Sequence, residues 1–230
     1  MTRPRAVLFD VDGTLIDNRG AVERSLQRVR TWLPQLGLPG SIADELAAQL
    51  EVEEIARGGR PHFGDGLWLP WAYAPRYVDA ALGEEHAPYG DRVHALWLRD
   101  LDLELGPFDD TLPALNRLAQ AGISLGVASN SPLQRCMADF GLDGFRVELD
   151  VRSGLPAKPS PDLLLAACEA LGVPPEGAVY VGDSVELDLT AAAAAGMRGI
   201  LVDRPGYFRG ERHDRVDDLL AVARQLTDRR

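Results

Sequence analysis

The sequence predicts an α/β fold in which a doubly wound parallel sheet carries a helical insert. From Phe108 onward, short apolar runs alternate with amphipathic segments, the pattern of repeated βα units with helices on both faces of a parallel sheet. Residues 18–103 are instead mostly helical by the spacing of their apolar side chains. A chain of 230 residues is long enough for one such core with a smaller insert.

The composition is that of a soluble globular protein, with 46% hydrophobic and 26% charged residues. The formal net charge of -11 disfavours binding to nucleic acid or to anionic membranes. No apolar stretch approaches transmembrane length, and the N-terminus lacks a signal-peptide pattern. Cys136 and Cys168 imply no disulfide framework. We therefore expect a cytoplasmic protein with no nucleic-acid or membrane partner.

The first predicted strand ends in a pair of aspartates. Ala6–Phe9 is apolar throughout, as in a strand buried on both faces, and Asp10 and Asp12 follow it before a Gly-Thr turn. Side chains two residues apart in extended chain point to the same side. Carboxylates that close repel each other unless a cation or a proton lies with them. The pattern predicts a divalent-metal site, and the alternative is an ordinary surface turn.

Four helices are predicted in the insert, near residues 22–34, 41–57, 75–82 and 89–102. Residues 58–74 hold glycine, proline and aromatic residues without periodicity, so we expect a loop or an irregular hairpin there. Within it, Arg60 and His62 can meet a second anionic group of a substrate, and Trp68 or Trp71 can stack on a ring. The alternative is that the aromatic residues pack in the insert's own core and the basic residues are solvated.

The core elements expected after Phe108 alternate strictly. Helices are predicted at 110–121, 132–140, from Ser160 and Pro161 onward, at 186–195 and at 215–228, and strands at 123–128, 145–149, 178–181 and 199–202.

Polar residues follow several of these strands. Ser129 and Asn130 can donate hydrogen bonds to an oxyanion or can cap the next helix. Asp183 ends a strand on a glycine turn, as Asp10 does, and Asp188 falls five residues later in the next helix, where it can brace the site. Lys158 is the only lysine among 24 basic residues. A compact ammonium can offset paired carboxylates where a planar guanidinium does not fit.

Taken together, the segments DVDGT (10–14), SN (129–130), K (158) and GDSVELD (182–188) resemble the four motifs of the haloacid dehalogenase-like (HAD) hydrolase superfamily. Their context resembles the subgroup with a helical cap after the first motif. The resemblance implies a Rossmann-like core formed by residues 1–17 and 104–230, and a cap domain at 18–103.

The resemblance also implies roles for the acidic residues. Asp10 would be the nucleophile that forms an aspartyl-phosphate, and Asp12 would be the general acid and base. Mg²⁺ would be held by Asp10, Asp183 and the backbone carbonyl of Asp12, with Asp188 supporting the site from outside.

The substrate implied by the resemblance is a small phosphorylated metabolite. Ser129, Asn130 and Lys158 would bind the phosphoryl oxygens, while the cap excludes water and selects the leaving group. The expected activity is magnesium-dependent hydrolysis of a phosphate monoester.

Other reactions on the same fold are less consistent with the residues. A haloacid dehalogenase lacks the second aspartate, which is Asp12 here, and phosphonate cleavage needs a cap lysine that 18–103 does not contain. A sugar phosphomutase shares Asp10, Asp12, Lys158 and magnesium, although the segment GGRPHFG (58–64) departs from its usual cap pattern. The mutase and a non-catalytic binding module stay open as alternatives.

Overall fold

The computed structural model describes residues 3–17, 20–56, 65–131, 138 and 140–228, and for 50–56, 65–74, 76 and 102 it describes the backbone alone. Cys136, Arg60, His62 and most of the helix predicted at 132–140 lie outside the described residues. The chain divides into two compact units. One comprises Met1–Asp17 with Gly106–Arg230, and the other comprises Asn18–Leu105.

The elements of the described residues follow one another as a helical block between two α/β segments. The strands are β1 (Ala6–Phe9), β2 (Ile16–Asp17), β3 (Gly106–Pro107), β4 (Ser124–Ala128), β5 (Val147–Leu149), β6 (Ala178–Gly182), β7 (Arg198–Val202) and β8 (Arg215–Val216). The helices are α1 (Ala21–Trp32), α2 (Ile42–Ala56), α3 (Asp65–His86), α4 (Gly90–Asp102), α5 (Thr111–Gln120), α6 (Asp162–Leu171), α7 (Thr190–Ala194) and α8 (Leu219–Thr227).

The first unit is built on a sheet whose strands run in the order β5-β4-β1-β6-β7-β8. Every neighbouring pair is parallel, and β1 lies between β4 and β6, with Ala6 opposite both Ser124 and Ala178. All four residues of β1 are fully buried, as expected for a central strand covered on both faces. The predicted doubly wound parallel α/β core is therefore confirmed.

Two short features of the first unit carry no periodic signal in the sequence. The strands β2 and β3 form a two-residue antiparallel pair, in which Ile16 lies opposite Pro107. The carbonyl of Leu15 accepts hydrogen bonds from the backbone N–H of Phe108 (3.2 Å) and the hydroxyl of Thr111 (2.8 Å). These contacts fix the backbone that follows Asp12 against the segment that leads into α5.

Two predicted helices begin later than the sequence indicates. Residues Val185–Leu189 form a π-helical turn, so α7 covers only the second half of the helix predicted at 186–195. The helix predicted at 215–228 begins at Leu219, because Arg215–Val216 pairs with β7 as an edge strand. The carboxylate of Asp218 accepts a hydrogen bond from the N–H of Ala221 and so caps the start of α8.

The second unit is helical, and α1 to α4 enclose their own apolar core. Trp97 is fully buried there, and its indole N–H donates to the hydroxyl of Ser25 at 3.0 Å.

The prediction of a loop at 58–74 is wrong for residues 65–74, which begin α3. Apolar residues occur on all sides of that segment, so its sequence has no single apolar face that would indicate a helix. Trp68 and Trp71 lie on its helical backbone. Gly83, with φ 62° and ψ -176°, interrupts α3 close to its predicted end. Within the described part of the chain, no helix has both the length and the apolar character needed to span a membrane.

Candidate active site

The carboxyl ends of β1 and β6 bring the first acidic residues together. Asp10 directly follows β1, and its backbone N–H donates to the carbonyl of Val181 at 2.9 Å, which continues the pairing of the two strands by one residue. Asp183 directly follows β6. The sheet register thus places these aspartates at the same edge, where open α/β sheets bind their ligands.

Three carboxylates converge at this edge. Asp10, Asp183 and Asp188 each offer an oxygen, and the three oxygens lie within 4.8 Å of one another. Carboxylate oxygens are the ligands that hard divalent cations prefer, so this donor set fits a divalent metal. The sequence assigned Asp188 to a supporting position, but its carboxylate lies beside the other two. The carboxylate of Asp12 is not part of this cluster.

The π-helical turn and a glycine explain the position of Asp188. The carboxylate of Asp188 accepts a hydrogen bond from the N–H of Ser184 at 2.9 Å, and the hydroxyl of Ser184 accepts one from the N–H of Leu187 at 3.1 Å. A Cβ atom at Gly182 would lie 2.3 Å from Cγ of Asp188. Only glycine at position 182 therefore leaves room for this carboxylate.

The ammonium of Lys158 lies buried between these acidic groups. Its Nζ donates hydrogen bonds of 2.7 Å to Oδ1 of Asp10, to Oδ1 of Asp188 and to the hydroxyl of Tyr180. Burial disfavours the charged form, but the attraction of Asp10 and Asp188 outweighs it and raises the pKa of Lys158 well above its usual value. The site therefore holds a permanently charged cation against its carboxylates.

Burial also changes the protonation of the two aspartates after β1. It raises the pKa of Asp10 to about 7, an effect that Lys158 partly offsets and that the charges of Asp188 and Asp12 reinforce. It raises the pKa of Asp12 to about 6, although a hydrogen bond from Ser131 and the charge of Lys158 act in the opposite direction. Oδ2 of Asp12 is buried and has no hydrogen-bond partner among the described residues. A carboxyl group with a near-neutral pKa and a free oxygen is suited to accepting and donating protons.

The polar residues that follow β4 also lie at this edge. The hydroxyl of Ser129 is buried and accepts a hydrogen bond from the N–H of Ser131 at 3.1 Å. The side-chain amide of Asn130 binds the backbone of Lys158 twice. Its Nδ2 donates to the Lys158 carbonyl, and its Oδ1 accepts from the Lys158 N–H, both at 2.8 Å. The amide that the sequence assigned to a substrate thus binds the segment that carries the ammonium.

Tyr180 is a residue of the site that was not predicted from the sequence. This residue is fully buried in β6, and its hydroxyl contacts Lys158. Its neighbours in the strand are aliphatic, and a phenol in such a position needs a hydrogen-bond partner for its hydroxyl. That requirement is the sequence signal that could have pointed to a polar group inside the core.

Comparisons with known proteins identify the family. The model of the haloacid dehalogenase-like hydrolase family matches residues 4–196. A glyceraldehyde 3-phosphate phosphatase from Methanopyrus kandleri is 28% identical over 96% of this chain and 98% of its own length. A phosphoglycolate phosphatase from Xanthomonas campestris pv. campestris is 34% identical over 87% of this chain and 83% of its own. The crystal structure of a HAD phosphatase from Thermococcus onnurineus covers 96% of this chain and 97% of its own, with 26% identity and a TM-score of 0.68.

The chain belongs to the haloacid dehalogenase-like hydrolase family. The family predicted from the four motifs and the prediction of a hydrolase are both confirmed by these matches.

Proposed function

We propose that the chain is a magnesium-dependent phosphatase that hydrolyses a small-molecule phosphate monoester through an aspartyl-phosphate on Asp10. The prediction of a phosphatase for small phosphate esters is confirmed by the relatives, which include phosphatases of glyceraldehyde 3-phosphate and of phosphoglycolate. One observation carries the proposed mechanism: Asp10 lies in a cluster with Asp183 and Asp188 and in direct contact with Lys158.

In the proposed first step, a carboxylate oxygen of Asp10 attacks phosphorus, and the bond from phosphorus to the ester oxygen breaks. Asp12 donates its proton to the departing alcohol, which its raised pKa favours. In the second step, water attacks the aspartyl-phosphate while Asp12 takes up a proton. The bond from phosphorus to Asp10 then breaks, so inorganic phosphate leaves and both aspartates return to their starting forms.

Magnesium fits the proposed donor set because its ligands in proteins are carboxylates, carbonyls and water. Asp10 and Asp183 would hold the ion, together with the backbone carbonyl of Asp12, and Asp188 lies close enough to join them. Bound there, the ion would neutralise charge on the phosphoryl oxygens during transfer.

Lys158 and Ser129 are the proposed partners of the phosphoryl group. The ammonium of Lys158 balances Asp10 and Asp188, which reduces the repulsion that an anionic substrate meets among three carboxylates. Ser129 follows β4 at the same edge of the sheet and offers a buried hydroxyl for a phosphoryl oxygen.

We further propose that residues 18–103 are the cap domain that selects the leaving group. A cytoplasmic location and a small phosphorylated metabolite as partner, with neither nucleic acid nor a membrane, complete the proposal. The net charge of -11 supports the exclusion of nucleic acid.

The proposed function is tested by incubating the purified chain with a panel of phosphate monoesters that includes phosphoglycolate and glyceraldehyde 3-phosphate. We expect release of inorganic phosphate that stops when Mg²⁺ is chelated and that is absent in Asp10→Asn. The exposed residue Asp109 provides the matched control, because Asp109→Asn makes the same chemical change outside the acidic cluster. Full activity in Asp10→Asn, or activity independent of any divalent metal, would refute the proposal.

A further inference from the structure

The ammonium of Lys158 has three N–H groups, and each one meets a different acceptor at 2.7 Å. Two acceptors are the carboxylates of Asp10 and Asp188, which attract the ammonium by charge. The third is the hydroxyl of Tyr180, which carries no charge. Its contribution must therefore be directional, because a hydrogen bond to a neutral hydroxyl fixes where one N–H points.

The direction of the Tyr180 hydroxyl is itself fixed. A tyrosine hydroxyl has one hydrogen, and the carbonyl of Ala128, 2.8 Å away, can only accept it. Oδ1 of Asp188 lies farther from the same hydroxyl, at 3.3 Å. With its hydrogen on Ala128, the Tyr180 oxygen presents a lone pair to Lys158. The ring cannot turn away, because Tyr180 is fully buried among the core side chains of the sheet.

The backbone of Lys158 is held independently. Asn130 binds both the N–H and the carbonyl of Lys158 through its side-chain amide. Ala128 and Asn130 lie two residues apart at the end of β4. The end of this strand therefore fixes both the Tyr180 hydroxyl, through Ala128, and the backbone of Lys158, through Asn130.

We propose that Tyr180 and Asn130 are positioning residues that hold Lys158 at its two ends, the ammonium through the Tyr180 hydroxyl and the backbone through the Asn130 amide. With both ends fixed, the remaining two N–H groups of Lys158 face Asp10 and Asp188. Asn130 then acts through Lys158, in place of the direct contact with phosphoryl oxygens expected from the sequence. The effect on catalysis rests on the proposed function, whereas the positioning itself does not.

The unique lysine makes the positioning directly measurable. Protein labelled with ¹⁵N in its lysine side chain contains a single labelled Nζ, so NMR reports Lys158 alone. We expect one Nζ signal with slow hydrogen exchange in the wild type, because all three N–H groups are bonded and buried. Tyr180→Phe and Asn130→Ala should each shift that signal and accelerate its hydrogen exchange. For Tyr180→Phe we expect about tenfold or more, the scale of a hydrogen bond to a charged group. Tyr77→Phe, which removes the hydroxyl of a buried tyrosine in the helical unit, should leave the signal unchanged.

Steady-state kinetics with the best monoester of the panel provide the second readout. Each of the two variants should lower kcat about tenfold with KM unchanged, since Lys158 acts on Asp10 during the chemical step. A raised KM with unchanged kcat and an unchanged Nζ signal would overturn the inference, because it would indicate that the substituted residue contacts the substrate directly and does not position Lys158. An Nζ signal in Tyr180→Phe that is identical to that of the wild type would also overturn the inference. If the signal moves in only one of the two variants, the residue changed in the other variant does not position Lys158.

The two proposals fail in different ways. If the wild type releases no phosphate from any monoester, the proposed function is refuted, and the Nζ signals still decide whether Tyr180 and Asn130 position Lys158. Circular dichroism establishes that each variant is folded. If Tyr180→Phe does not fold, Asn130→Ala decides alone, because Tyr180 lies within β6 and Asn130 follows β4, so the second variant leaves β6 unchanged.

Discussion

At the scale of single residues, the electrostatics of the site depend on Lys158. Three carboxylates lie at the carboxyl edge of the sheet, and two of them contact this ammonium. The side chain of Lys158 is 2% exposed, so water contributes little to balancing the charges. Removing one partner of a buried pair leaves the other charge uncompensated, and this is far more costly than losing a surface ion pair.

Replacing Lys158 with methionine tests this electrostatic role. We expect Lys158→Met to lower the free energy of unfolding by about 3–5 kcal/mol, the usual cost of breaking a buried ion pair. Without the ammonium, the pKa of Asp10 should rise further above about 7. A carboxyl group with a raised pKa in the folded state destabilises the fold as the pH rises, so the loss should be larger at about pH 8 than at about pH 5. Urea unfolding of the metal-free protein at both pH values measures it.

The matched control is Arg198→Met, which breaks the ion pair with Asp214. The side chains of that pair are 28% and 36% exposed, so we expect a cost below about 1 kcal/mol. If Lys158→Met costs no more than Arg198→Met, Lys158 does not balance a buried acidic cluster.

The residues that could be predicted from the sequence differ physically from those that could not. Asp10 and Asp183 are charged groups directly after buried strands, where a charge needs a partner, and Lys158 is the only lysine of the chain, so these residues suggest a shared site from the sequence alone. Tyr180 and Asn130 carry neutral groups that bond equally well in a core, in a cap or to a ligand. Which of these they do depends on the groups that folding places beside them, and a single sequence does not contain that information.

At the scale of secondary-structure elements, the end of β6 determines the geometry of the acidic cluster. Gly182 is the last residue of β6, and Asp183 follows it directly. The π-helical turn then places the carboxylate of Asp188 against Gly182. The sequence predicts the strand from its apolar residues. It does not predict the π-helical turn, because the apolar spacing of an α-helix and of a single wider turn is nearly the same over five residues.

Gly182→Ala tests whether this packing positions Asp188. The added Cβ would lie 2.3 Å from Cγ of Asp188, so the carboxylate must move. We expect a loss of about 1–3 kcal/mol in the free energy of unfolding, as for overpacking of a core. Mg²⁺ binding, measured by titration calorimetry, should also weaken. Gly144→Ala is the control, because a Cβ there meets no atom within 4 Å. Equal Mg²⁺ affinity in Gly182→Ala and the wild type would contradict the role of Asp188 in the cluster.

Other elements show where sequence periodicity is informative. Strands β1, β4, β6 and β7 are predicted to within one or two residues because each is a short apolar run followed by polar residues. The two-residue pairing of β2 with β3 depends on contacts between distant parts of the chain. The start of α3 was missed because a helix with apolar residues on all sides has no distinct face.

At the scale of the whole molecule, we expect folding and the proposed metal binding to be linked. Of the three proposed ligand residues, Asp10 lies more than 170 positions before Asp183 and Asp188 in the chain, and only the folded sheet brings it to them. An ion that binds the folded state alone stabilises it by mass action, by about 2.7 kcal/mol at a concentration of 100 times Kd.

Mg²⁺ should therefore raise the midpoint of thermal unfolding in the wild type. The shift should be lost in Asp183→Asn, which removes one proposed ligand, and kept in Asp109→Asn, which changes an exposed aspartate. The shift should also be larger at about pH 8 than at about pH 6, because protons compete with the ion for Asp10, whose pKa is raised to about 7. Differential scanning calorimetry with and without the ion provides the measurement. A full shift in Asp183→Asn would exclude the proposed ligand set.

The proposed reaction depends most on Asp10 as the nucleophile, and a trapped intermediate tests this role most directly. The wild type is mixed with Mg²⁺ and a reactive phosphate ester, quenched in acid within a single turnover, and digested for mass spectrometry. We expect one phosphoryl group on the peptide that contains Asp10, and none in Asp10→Asn treated in the same way. Rapid phosphate release with no phosphoryl group on that peptide, or the same phosphoryl group in Asp10→Asn, would contradict it.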